Sequence, residues 1–257
     1  MQRSASVARA SSLFDKLFKM LWLIAHGPKS SVFNSAAKPP WKGVMQMNSG
    51  TGNGAYLGDI HSMVAFLPGL SGEDRNDILD VLLDAQLFAG KQFDFTTQWS
   101  SWMHYYRSRL RTRGLQQKGV VLGDSLIVSN VDDLVQATFK VSNPADRKRL
   151  GSMVQRAFTA MGVNQAAASY FQDGFDQGRL GSFQVVPCEK YEPGRILLLL
   201  CSMHLSIDER SAGRRRLLFH FKGGSYTFDT KIYAEHRNDV ARYLDGRAKS
   251  LIRAASI

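Results

Sequence analysis

Two cysteines in 257 residues can neither staple a disulfide-dense scaffold nor build a four-cysteine zinc site. Cys188 and Cys201 sit in or beside apolar, strand-like runs, so both are expected as buried thiols. No apolar stretch approaches the roughly 20 residues of a membrane-spanning helix; Ile60 to Leu70 contains Pro68, and Ile196 to Ile207 is short. The chain has no Gly-x-Ser-x-Gly elbow, which leaves the common serine-hydrolase template without support. Its glycine-rich run from Ser49 to Gly54 lacks the lysine of a phosphate loop and a strand to aim it, and it reads as a turn leading into the first core helix. Six histidines, at positions 26, 61, 104, 204, 220 and 236, include no pair at one-turn helical spacing with a neighbouring acid, so neither a metal site nor a cofactor is expected. No repeat of solenoid length occurs.

What the chain does have is enough apolar material for a core, 44% hydrophobic residues and 11% aromatics, and a surplus of base giving a formal net charge of +11. The charge is segregated. Residues 51–100 carry a net charge of -5, whereas residues 1–50 carry +6 and residues 101–150 and 201–257 carry +5 each. Distinct basic and acidic faces follow from that pattern.

Periodicity predicts an α+β fold in which a helical N-terminal two-thirds packs with a C-terminal antiparallel β-meander and a final helix. The expected organisation is an arm over residues 1–55 with an amphipathic helix and a Gly/Pro-rich linker, one α+β domain over 56–246, and a basic tail over 247–257. Asp59 to Leu67 reads as a short helix stopped by Pro68. Ser71 and Asp74 form a capping-box pattern for a second helix whose Asp74, Asp77, Asp80 and Asp84 are expected outward as a solvated acidic face. Trp99, Trp102, Met103, Tyr106 and Leu110 mark the core stripe of a third. Gly123-Asp124 fits a tight hairpin turn, Asn130 or Ser129 a helix cap, and Asp229 or Thr230 the cap of the last helix.

After Gly178, the runs 183–188, 195–207, 214–221 and 226–228 have the spacing of a meander, with Gly223-Gly224 as its last turn. The runs 195–207 and 214–221 are expected to pair as a hairpin, on which His204 and His220 meet as half-buried polar neighbours. Alternation puts Cys201 and His204 on opposite faces of one strand, against a thiolate–imidazole pair.

Two features point to anionic surfaces. In residues 11–25, Phe14, Leu17, Phe18, Leu21 and Trp22 form a wide apolar sector bordered by Lys16 and Lys19, the composition of a helix lying in a membrane interface. A helix packed on the core or on another subunit, a secretory signal and a transit peptide are the alternatives for this segment. Arginines 107, 109, 111 and 113, with Arg214, Arg215 and Arg216, supply forks suited to phosphate oxygens, without a recognisable nucleic-acid module or exposed aromatic platform. The leading expectation is a non-enzymatic protein that binds anionic membrane surfaces or assembles with protein partners, itself included as a homo-oligomer. A secreted, toxin-like virulence factor is one setting for it. A general RNA- or DNA-backbone binder is the second reading, and an enzyme whose site gathers residues distant in sequence the third.

Overall fold

The structure, a computed structural model, describes residues 53–121, 125–139, 147–174, 181–208 and 215–257. The expected amphipathic helix at 11–25, with Phe14, Lys16, Leu17, Phe18, Lys19, Leu21 and Trp22, lies outside the described residues, as do the Ser49–Gly52 turn and Arg214.

One mixed sheet is the centre of the fold. Its strands are β1 (Gly54–Leu57), β2 (Ser62–Phe66), β3 (Gln116–Val121), β4 (Leu126–Val128), β5 (Ser182–Glu192), β6 (Arg195–Ile207), β7 (Leu217–Asp229) and β8 (Ile252–Ala255). They stand in the order β3-β7-β6-β5-β2-β1-β8, and β4 also pairs with β7. The β2–β5 pair is parallel, Val64 opposite Val186, and the other pairs are antiparallel. The seven helices among the described residues are α1 (Gly72–Gly90), α2 (Trp99–Thr112), α3 (Val131–Phe139), α4 (Arg147–Met161), α5 (Val163–Asp173), α6 (Thr230–Leu244) and α7 (Ala248–Leu251).

This corrects the expected fold class. A helical two-thirds followed by a separate meander is not what forms, because β1 and β2 enter the same sheet as the meander strands and β8 closes its far edge. The segment expected as a helix over 59–67 contributes β2 instead. All five of its residues are buried, and a short continuous apolar run carries no period that separates a buried strand from a buried helix. Gly58 at φ +71 and Gly69 at φ +98 turn the chain on either side of it.

Two further expectations fail, both at β7. Gly223-Gly224 is no turn: β7 runs straight through both glycines. A Cβ on Gly223 would lie 1.9 Å from the Leu200 carbonyl oxygen, and one on Gly224 2.3 Å from that of Gly119. The glycines therefore let three strands approach closely. Nor do β3 and β4 form a hairpin around Gly123-Asp124; both pair antiparallel with β7, at Gly223–Thr227 and at Leu217–Phe219, so the chain continues along one edge.

Alternation along the strands divides the core in two. On the first face Val64, Val186, Leu198, Leu200 and Tyr226 pack with α1, α2 and α6. On the second face Met63, Val185, Leu199, Cys201 and Phe219 pack with α3, α4 and α5. The caps read from sequence are in place: Ser71 and Asp74 form a reciprocal box, Asn130 accepts from the Asp133 amide at 2.9 Å, and Asp229 accepts from the Lys231 and Ile232 amides.

The acidic row of α1 is corrected as well. Asp77 and Asp84 are buried, not solvated. Arg237 of α6 grips Asp77 through two bonds of 3.0 and 2.6 Å, while Arg109 of α2 holds Asp84 at 2.7 and 2.9 Å with Arg113 close behind. Because α1 is covered by the sheet and by both neighbouring helices, its polar positions must find ionic partners.

Candidate surface site on the first face

The outer corner where α1, α2 and α6 meet carries an aromatic collar studded with cations. Tyr105, one residue off the core stripe of α2, is 37% exposed. It meets Phe93 edge-on at 4.9 Å and stacks on Phe88 at 6.3 Å. The Lys91 ammonium stands 4.5 Å from the Tyr243 ring centroid, and the Arg109 and Arg247 guanidinium carbons stand 4.9 and 5.6 Å from it. Such contacts hold cations against ring faces for about 0.5–1 kcal/mol each at a surface. Arg247 also donates to the last carbonyls of α6, at Tyr243 and Leu244, which fixes its position.

Beside the collar opens a cleft of about 590 Å³, whose lining includes Lys91, Phe93, Asp94, Trp102, Ser182 and Arg247. Asp94 is taken up locally: the Thr97 amide and hydroxyl and the Thr96 amide donate to its carboxylate and hold its pKa below the usual range. A smaller hollow of about 460 Å³ lies at the β5–β6 turn, where Arg195 is already paired with Glu192 and Asp229.

Below the cleft the first face of the sheet turns from apolar to polar. Gln86 donates to the Ser62 hydroxyl at 2.9 Å, and Ser62 donates to the Gln184 side-chain Oε1 at 3.1 Å, all three buried. Ser182 lies 2.9 Å from Nδ1 of His204, and Ser125 lies 2.7 Å from Nδ1 of His220. His204 and His220 sit directly opposite each other in the β6–β7 register, as the sequence indicated. Trp99 stacks on His204 at 5.9 Å and donates to Ser202 at 2.8 Å. Burial, and secondly the neighbouring His220, push the His204 pKa down from its ordinary value. Cys188 and Cys201 are free and buried on opposite faces, and burial raises both thiols far above the usual range. No group of three or more His, Cys, Asp or Glu side chains is placed to hold a metal ion among the described residues.

The arginines singled out from sequence separate. Arg109 and Arg113 turn inward to Asp84, and Arg107 donates to the Tyr226 hydroxyl at 2.9 Å. Arg111 is exposed on the outer side of α2. Arg215 lies across the sheet, donating to the Phe171 carbonyl of α5 at 3.1 Å, and Arg216 leads half-buried into β7. Sequence reasoning passed over the collar because its aromatics are contributed by three segments; the one local signal was Tyr105 standing beside Tyr106 at a position off the apolar stripe.

No protein-family model matches the chain, and no curated protein matches it. A solved structure named as a delta-endotoxin aligns over 78% of this chain and 91% of its own, with a TM-score of 0.38 and 11% identity. A likeness of that size assigns neither fold nor activity.

Proposed function

We propose that the protein binds anionic membrane surfaces, with the collar of α1, α2 and α6 as its contact. The supporting observation is the juxtaposition of exposed Tyr105 and the half-buried Phe88 and Phe93 with Lys91 and Arg247. Amphipathic rings settle at headgroup depth, and each cation near an acidic leaflet adds about 1 kcal/mol. The apolar sector of residues 11–25 with Lys16 and Lys19 is the second contact in this reading.

Vesicle flotation tests it. The full chain should float with anionic vesicles, less with neutral ones, and less as salt rises. Lys91→Glu should weaken flotation by about fivefold or more, and Tyr105→Ser should weaken it on both lipids, with unchanged melting temperatures. Phe18→Asp/Trp22→Asp should weaken it further, again without a fall in melting temperature. Wild-type protein that never floats, or that is retained on RNA and not on vesicles, overturns the reading in favour of backbone phosphate binding. The finer toxin-like reading adds permeabilisation, read as dye release from the same anionic vesicles.

A further inference from the structure

The polar end of the first face holds a feature that surface binding does not use. His204 and His220 are cross-strand partners on two thirteen-residue strands, their ring centroids 6.1 Å apart and their planes 37° from each other. We infer that these two imidazoles chelate a divalent transition-metal ion of borderline character, Cu²⁺, Ni²⁺ or Zn²⁺.

The spacing carries the inference. A ring nitrogen ligates such an ion at about 2.0–2.1 Å, which puts the ion about 3.2 Å from each ring centroid and the two centroids about 4.5 Å apart in cis square-planar and about 5.2 Å apart in tetrahedral coordination. The observed 6.1 Å is about 1 Å wider than the tetrahedral value, a gap that a small rotation of the two half-buried rings toward each other closes. The second support is the pair of serines. Ser182 and Ser125 each meet a Nδ1, at 2.9 and 2.7 Å. With each Nδ1–H donating to its serine oxygen, both Nε2 lone pairs are left to ligate, the usual outer-shell arrangement of a metal-bound histidine. Both rings are half-buried, so water reaches the remaining coordination positions.

The local charge fits as well. Ligation requires neutral imidazoles, and burial together with the facing ring favours that form at His204. Lys222, on the same side of β7, is drawn toward the Ser100 hydroxyl and the Trp99 ring. Imidazole ligands suit these metals, and affinity should follow the order Zn²⁺ below Cu²⁺ and Ni²⁺ below Cu²⁺.

The experiment is titration of the full chain at neutral pH with Cu²⁺ and Zn²⁺ alone, followed by calorimetry and by tryptophan fluorescence. One ion per chain should bind, and Cu²⁺ should quench part of the emission, since Trp99 stacks on His204. Ser182→Ala, which removes an outer-shell partner, should weaken binding by about 10–100-fold. His204→Gln and His220→Gln should each weaken it more than that. Equal affinity in wild type and both histidine variants, or no binding by wild type, overturns the inference. Should a histidine variant fail to fold, the electron paramagnetic resonance spectrum of Cu²⁺ on wild-type protein decides: hyperfine coupling to two imidazole nitrogens upholds the chelate, and one or none overturns it. None of these readouts involves lipid, so the outcome is independent of the membrane reading.

Discussion

On the second face of the sheet, α3, α4 and α5 bring Leu134, Met153, Ala157, Phe158 and Val163 against Val185, Leu199 and Phe219. On the first, α1, α2 and α6 bring a comparable apolar surface together with Asp77, Asp84, Arg109, Arg113 and Arg237. Among the described residues the second layer is held chiefly by apolar packing, with hydrogen bonds such as those of Tyr56 to the Ala160 carbonyl and Arg215 to the Phe171 carbonyl at its margins. The other threads ionic clasps through its helices and ends in a polar seam. Burial of unpaired charge is so costly that such clasps fix which helix faces which, and they bring the C-terminus of α1 beside α2 and α6, where the collar and cleft form. The candidate sites therefore lie on the face where the polar groups are, and the second face serves as its apolar backing.

The strongest test of this contrast is Asp84→Ala. It strands Arg109 and Arg113, whose side chains are 18% and 11% exposed, and should cost about 3–5 kcal/mol. Chemical denaturation measures it; a loss below about 1 kcal/mol would mean that the clasp is not what joins α1 to α2. On the second face Leu199→Ala, at 4% exposure, should cost about 2–5 kcal/mol by cavity formation. The two substitutions should differ in salt response, since only the first removes an ionic interaction. Equal responses would erase the chemical distinction between the layers.

The contrast was half legible in the sequence. Local signals survived: the Ser71–Asp74 box, the Asp229 cap, the core stripe of α2, the β6–β7 hairpin, the meeting of His204 with His220, and the opposite faces of Cys201 and His204. Each depends on residues close in the chain or on the period of one element. Long-range partners left no such mark. Nothing local in Ser62–Phe66 announces a parallel neighbour at 184–188, nor in Gly54 a neighbour at Ala255. The same holds for the Asp residues of α1: a carboxylate four residues from another looks solvated until the helix carrying Arg237 is known to pack on it. The collar was illegible for that reason, since Phe88, Tyr105 and Tyr243 come from three helices.

Glycine gives a smaller effect with a sharp control. Gly223→Ala places a methyl group against the Leu200 carbonyl in the middle of the sheet, where β6 and β7 must separate, and should cost about 1–3 kcal/mol. A Cβ on Gly72 would meet nothing within 4 Å, so Gly72→Ala should stay within about 0.5 kcal/mol of wild type. Both are read by thermal melting. If Gly223→Ala proved as harmless as Gly72→Ala, those glycines would not be what allows β7 to run unbroken between β6 and β3.

The smallest expected effect is a pH dependence that belongs to the first face alone. His204 has a folded pKa below its ordinary 6.5, with burial as the main cause and His220 as the second. Lys222 and the Trp99 ring also border this part of the face. As pH falls through about 6.5, the unfolded chain takes up a proton at this histidine and the folded chain resists it. The unfolded state then binds more protons, so stability should fall on acidification from about pH 7 toward pH 5 and be flat above. Asp80 moves the opposite way, because burial and Asp77 raise its pKa from 3.8 and folding then favours its protonated form. Comparing wild type with His204→Gln cancels that background. Melting in the presence of a chelator, which removes any bound metal, should show a larger loss between pH 7 and 5 for wild type than for the variant. Parallel curves would show that His204 takes up its proton equally readily in the folded and unfolded chains, and the polar seam would then be open to water rather than sheltered by Trp99.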